Sequence, residues 1–178
     1  MQMIKSTPLA AAPAASVPSF VQALAADRPA ADRADKLALY SWLVGSWVMD
    51  ATLHQDDGTV HAGRGEIHAG LVLAGRAIQD VWILPGVFYG TTLRVYDPGI
   101  DAWHILWSDP LRQVYTRQIG RADPRGIVQV GTAENGVVLR WSFTDISAAS
   151  FRWRGERSLD NGVSWMLQLD VRATRTAA

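Results

Sequence analysis

The chain has 178 residues, a formal net charge of zero, a near-neutral pI and no cysteine. That length suits one domain with a real core, and the charge balance leaves no electrostatic footprint for nucleic acid or an anionic membrane. Without cysteine there is no disulfide, thiolate nucleophile, Cys-type zinc site or iron–sulfur cluster, and no run approaches the ~20 apolar residues of a membrane-spanning helix.

Residues 1 to about 32 read as a flexible Ala/Pro-rich leader, and residues 33–178 as the folded domain. Pro8, Pro13 and Pro18 interrupt the leader, which argues against a secretory signal and for a cytoplasmic protein. Ser19 to Ala26 predicts a short amphipathic helix with Phe20, Val21 and Leu24 on one side, ended by Arg28-Pro29. Asp32 or Asp35 then predicts the N-cap of a second helix, Lys36 to Leu43, with Leu37, Tyr40 and Leu43 on one face and Gly45 as its stop.

From Trp47 the period becomes two. Trp47, Met49, Ala51 and Leu53 alternate with Val48, Asp50, Thr52 and His54, and the first set is expected to face the core. Asp56-Asp57-Gly58 predicts a hairpin turn, followed by a strand from Thr59 to about Leu73. The stretch from Arg76 to Trp107 holds three runs rich in β-branched and aromatic residues, parted by Leu84-Pro85-Gly86 and Asp97-Pro98-Gly99, and predicts a β-meander. Further strands are expected at about 112–121, 126–132, 137–145, 150–158 and 164–174. Trp165, Leu167, Leu169 and Val171 are expected to share the inward face of the last one. Many short strands without interleaved helices mean an all-β fold, here an antiparallel barrel of about ten strands with a short N-terminal helix.

Candidate chemistry is concentrated in a few positions. Asp80 shares parity with Ile78 and Trp82, so burial demands a partner, Arg94 or Arg117, and the pair serves either as a structural ion pair or as a ligand anchor. Arg64, Glu66 and His68 share one parity, either as a solvated stripe or, facing inward, as a buried acid/base pair. His104 lies between Trp103 and Ile105, as a hydrogen-bonded core or dimer-surface residue or as a proton shuttle. Asp80, His104, Glu66 and His68 are thus the catalytic candidates. Trp82, Tyr89, Arg94, Trp107, Tyr115, Arg117 and Trp141 are the candidate ligand-binding wall of an internal cavity. His54, His61 and His68 are seven apart, an odd spacing that separates neighbours across a strand, and no metal site is expected from them. The chain carries no P-loop, Rossmann glycine fingerprint or Gly-x-Ser-x-Gly elbow.

Leu43-Val44-Gly45-Ser46-Trp47, a short helix leading into Gly-x-Trp on the first strand, resembles the opening of calycins, the lipocalin and fatty-acid-binding-protein superfamily. With Gly75-Arg76 before Gln79-Asp80-Val81-Trp82 and the C-terminal strand pair, the stretch from Leu37 to Arg172 is similar to bacterial lipocalin-like proteins of this length. The resemblance implies a barrel whose closed end is plugged by Trp47. Nitrobindins share the Gly-x-Trp opening and hold haem through a late His. Here the last His is His104, and no cofactor is expected. Ser158-Leu159-Asp160-Asn161-Gly162-Val163-Ser164-Trp165 resembles the Asp-box, a structural hairpin in which the Asp accepts backbone N–H groups, the Gly takes a positive φ and the Trp packs beneath.

The expected function is binding of a small hydrophobic or aromatic ligand inside the barrel. The alternative is a cofactor-independent isomerase, cyclase or lyase using acid–base residues of the same cavity. A homodimer is a further expectation, because both faces of the 103–108 strand carry apolar groups. Neither nucleic acid nor membrane is an expected partner.

Overall fold

The computed structural model describes residues 18–133 and 135–176; the first part of the leader lies outside them. Helix α1 spans Phe20–Leu24 and α2 spans Ala34–Ser41. Ten strands follow: β1 Gly45–His54, β2 Val60–Val72, β3 Ala77–Leu84, β4 Phe88–Asp97, β5 Ala102–Asp109, β6 Val114–Asp123, β7 Gly126–Thr132, β8 Val138–Thr144, β9 Ser150–Ser158 and β10 Met166–Arg175. Each pairs antiparallel with its chain neighbours, and β1 also pairs with β10, so the sheet closes into a barrel. Among the described residues no helix is long and apolar enough to cross a membrane.

The alternation expected for β1 is present: Trp47, Met49 and Ala51 are buried and Asp50 is exposed. On β5, Trp103 and Ile105 face the core while Leu106 is 40% exposed on the outer wall. α2 closes the end of the barrel where β1 begins. Its Leu37, Tyr40 and the following Leu43 are fully buried and meet Trp47, Phe143, Phe151 and Trp103. Tyr40 packs edge-on to Trp103 at 4.9 Å, and Trp47 edge-on to Phe151 at 4.9 Å.

The cap on α2 differs from the expectation. Neither Asp32 nor Asp35 caps it; a 3-10 turn, Ala31–Arg33, leads into the helix, and Arg33 occupies the N-cap without a side-chain bond. Asp32 is instead drawn to Arg76, whose Nη1 donates to it at 3.0 Å, and this bond holds its carboxyl below the usual range. The segment before α2 is tied to the β2–β3 turn. Ala25 bridges Val72, the Leu73 N–H donates to the Leu24 carbonyl, and the Ala30 N–H to that of Gly75. A Cβ on Gly75, at φ +73°, would meet the Arg28 carbonyl oxygen at 2.1 Å, so only glycine lets this strap lie down.

A bulge between Leu167 and Leu169 changes the face of β10 partway along. Trp165 therefore leaves the interior expected for it and lies on the outer wall, with the Arg140 guanidinium 3.9 Å above its ring. In the hairpin before it, Asp160 accepts the Ser164 N–H at 2.8 Å and the Ser158 hydroxyl at 2.7 Å, and Gly162 has φ +90°. Those hydrogen bonds, chiefly from Ser164, bring the Asp160 carboxyl down to about 2.

Arg175 locks the closed end. Its guanidinium donates to the carbonyls of Ala148 at 2.7 Å, Val44 at 2.8 Å and Trp42 at 2.6 Å, and sits 3.9 Å from the centroid of Trp47. It therefore ties the end of α2, the β8–β9 turn and the plugging Trp to the last strand. Arg175→Met is expected to lower stability by about 2–3 kcal/mol in urea denaturation, with Arg175→Lys recovering less than half, because an ammonium cannot span three carbonyls and a ring face together.

Candidate functional site

Above the plug, the barrel interior changes from packed to hollow in tiers. The lowest tier is polar. Asp80 from β3 and Arg94 from β4, each 1% exposed, form an ion pair through Arg94 Nη1 and Asp80 Oδ2. The Thr92 N–H donates to Asp80 Oδ1 at 3.1 Å. The Arg94 guanidinium lies 5.4 Å from the Tyr40 ring and 5.7 Å from that of Phe143. Gln129 Nε2 donates to the Tyr40 hydroxyl at 3.0 Å. Burial pushes that hydroxyl up to about 12, against the opposing pull of Arg94. Gln118, 1% exposed, completes the tier.

The next tier is a belt of rings. Phe88, Trp107, Trp141, Trp153 and Trp82 follow one another around the wall, with centroids 6.1, 6.2, 5.5 and 5.4 Å apart. Close backbone approach makes room for them: a Cβ on Gly90 would stand 2.4 Å from the Trp107 ring. These rings, with Arg94, Thr92, Thr116, Leu139 and Leu169, line a cavity of about 310 Å³. Its mouth, at the end away from α2, is bounded by His54, Gln55, Val87, Asp109 and Arg112. A second hollow of about 400 Å³ shares Leu53, Gln55, Val87 and Arg112 with it. It lies where the first half of β2 pairs with β1 only, because the β2–β3 ladder begins at Glu66–Ile83.

The structure divides the sequence candidates into two groups. Asp80, Trp82, Arg94, Trp107 and Trp141 lie inside, and among the two arginines named for Asp80 the partner is Arg94. The others occupy the outer wall. Tyr89 is 53% and Tyr115 51% exposed, on the parity opposite to the inward Phe88 and Thr116. His104 Nε2 lies 2.9 Å from Asp97 Oδ2, and Arg117 Nη2 lies 3.2 Å from His104 Nδ1. A guanidinium only donates, so Nδ1 is the acceptor and the ring proton sits on Nε2, given to Asp97. Glu66 and His68 form the exposed stripe, 3.3 Å apart, with Ser46 Oγ 2.9 Å from His68 Nδ1. The four acid–base candidates thus do not converge: Asp80 is separated from the other three by the barrel wall.

Several interior residues were not among the sequence candidates. Trp153 shares parity with Phe151 opposite Arg152, Arg154 and Glu156, which marks it in the sequence as inward-facing, though not as part of a ligand wall. Gln118 and Gln129 are not so marked. Each sits inward beside a more apolar residue, Ile119 or Val130, that points outward, so hydropathy assigns β6 and β7 the wrong face.

Two measurements test this arrangement. Asp80→Ala leaves the Arg94 guanidinium buried without its carboxylate and is expected to cost about 3–5 kcal/mol in chemical denaturation. Tyr40 in the unfolded chain loses its proton near the ordinary 10.0 but keeps it in the folded barrel up to about 12. Above pH 10 the folded state therefore binds the extra proton, and stability falls as pH rises through this window, by up to about 2–3 kcal/mol. Tyr40→Phe is expected to flatten that alkaline slope, compared by urea denaturation at several pH values.

No protein-family model matches the chain, and no curated protein matches it. Among solved structures, the S-type phycobiliprotein lyase CPES from Guillardia theta superposes with a TM-score of 0.59 at 12% identity, over 79% of this chain and 92% of that one. A redesigned β-barrel matches with a TM-score of 0.40 at 15% identity, over 77% of this chain and 94% of that one. At 12% identity the likeness to the lyase is one of fold, and it shows an all-β, calycin-like barrel.

Proposed function

We propose that this barrel binds a small hydrophobic or aromatic molecule in the cavity above the Asp80–Arg94 pair. The observation that carries the reading is the belt of Phe88, Trp107, Trp141, Trp153 and Trp82 around a hollow of about 310 Å³ that opens at one end. Elsewhere in the same barrel Trp47, Phe143 and Phe151 fill the interior solidly, so the hollow is not a general looseness of packing. Rings set edge to face leave their flat sides to a planar guest, and burying such a guest against them is favourable by about 25 cal/mol per Å².

The lyase with the similar fold supports a barrel of this type as a site for small-molecule chemistry. For this chain the observations favour binding over catalysis. Inside the cavity the carboxylate of Asp80 is committed to Arg94 and the Thr92 N–H, and Asp109 accepts the backbone N–H groups of Leu111 at 3.0 Å and Arg112 at 3.3 Å. A general acid or base needs a proton position within reach of substrate; both oxygens of Asp80 accept structural donors, and Asp109 Oδ1 is held by two backbone N–H groups at the mouth.

The test uses a neutral solvatochromic naphthyl ketone and follows its emission together with quenching of the tryptophans. Saturable binding with a dissociation constant in the micromolar range is expected, taking about 0.4 kcal/mol per non-hydrogen atom. Thr116→Trp, which places a ring in the hollow, is expected to abolish it while leaving the far-UV circular dichroism unchanged. Binding that persists undiminished in Thr116→Trp would place the probe elsewhere and sink the reading.

A further inference from the structure

The charges and donors around the cavity narrow the class of guest, an inference that rests on the binding reading above. Arg94 is the cation at the base of the hollow, and its charge is already matched by Asp80 at hydrogen-bond contact. At the mouth, Asp109 and Arg112 again contribute one carboxylate and one guanidinium. Two formal negative and two formal positive charges cancel. A carboxylate guest at the base would therefore give up its water beside Asp80, where the cation, Arg94, is already matched, an unfavourable way to bury an ion.

The polar atoms at the base tell the complementary half. Among the described residues, the Gln118 amide and Gln129 Oε1, in the polar tier outside the cavity lining, are buried without a hydrogen-bond partner, and so are Arg94 Nε, Trp82 Nε1 and Thr116 Oγ1. The last three belong to residues that line the cavity. Arg94 Nε and Trp82 Nε1 are N–H groups and can only donate, and the hydroxyl can donate as well. Buried donors without acceptors are costly, by about 1–3 kcal/mol each. A group that supplies lone pairs without bringing a charge answers both conditions.

We propose that the guest is an uncharged aromatic molecule bearing a carbonyl acceptor, of the aryl ketone, quinone or amide class, and that the cavity discriminates against the corresponding carboxylates. The ring system lies against the indole belt. The carbonyl oxygen is directed to the base, where the Arg94 and Trp82 N–H groups and the Thr116 hydroxyl offer donors. No charge has to be neutralised, so the Asp80–Arg94 pair stays intact when the guest enters.

The experiment compares 2-acetylnaphthalene with 2-naphthoate by calorimetry at neutral pH, where the acid is ionised and the ring system is the same. The ketone is expected to bind at least about tenfold more tightly, which corresponds to about 1.4 kcal/mol. Equal or tighter binding of the naphthoate overturns the inference and leaves the binding reading standing; binding of neither compound overturns both. Asp80→Asn keeps the acceptor for the Thr92 N–H while removing the negative charge, so the cavity gains one unmatched positive charge. In that variant the ratio is expected to move toward the naphthoate by about tenfold or more, and a ratio that stays where it was overturns the electrostatic basis. Should Asp80→Asn fail to fold, Thr116→Val carries the same decision. A loss of about three- to tenfold for the ketone with little change for the naphthoate supports the donor set, and an equal loss for both overturns it.

Discussion

The Asp80–Arg94 ion pair is the constraint on which the interior depends. It spans β3 and β4 a little above the plug, with both side chains out of water. A buried pair repays its desolvation only when further hydrogen bonds and a close environment support it. Here the Thr92 N–H holds the carboxylate, and the rings of Tyr40 and Phe143 lie near the guanidinium. The pair marks the boundary between two regimes of packing. Below it the aromatic residues of α2, β1, β8 and β9 interlock into a solid core. Above it the same kind of residue lines a hollow.

That contrast follows from where the chain supplies a helix. A barrel of ten strands is wide enough that inward side chains need not meet across it. At one end α2 adds Leu37 and Tyr40, with Leu43 just beyond it, and Arg175 clamps the assembly to the last strand. Among the described residues no comparable element enters the other end, where hairpin turns surround the mouth. The large rings there stand on the wall, next to glycines such as Gly90 that let them lie flat against the sheet. A hollow walled by indoles is thus the geometric consequence of one short helix at one end.

The outer wall holds polar groupings that look like machinery when read in isolation. Asp97, His104 and Arg117 form one chain of hydrogen bonds, and Ser46, His68 and Glu66 form another. Asp97, His104 and Arg117 stand on three successive strands, and Ser46 faces His68 across β1 and β2 with Glu66 two residues along the same strand, all on the outward face. Neither grouping borders the cavity lining, and the Glu66–His68 pair is about half exposed. Their geometry is that of side chains satisfying one another along a solvated sheet.

The sequence by itself determined the class of fold. Turn residues at Asp57-Gly58, Pro85-Gly86 and Pro98-Gly99 and period-two runs between them were enough to count the strands, because turn chemistry and alternation act over a few residues. It also determined that Asp80 must have a cationic partner, since its parity set it among Ile78 and Trp82. What it left open was decided by closure of the barrel. Which arginine reaches Asp80 depends on β3 pairing with β4 in a register that sets Asp80 against Thr92, two residues from Arg94. Whether Tyr89, Tyr115 and His104 face in or out depends on the phase of each strand, and hydropathy misleads wherever a polar residue such as Gln118 is held inside. The bulge that turns Trp165 outward leaves no mark in the alternation around it. Local physics set the elements; the face each side chain presents was set by strands far apart in the chain closing on one another.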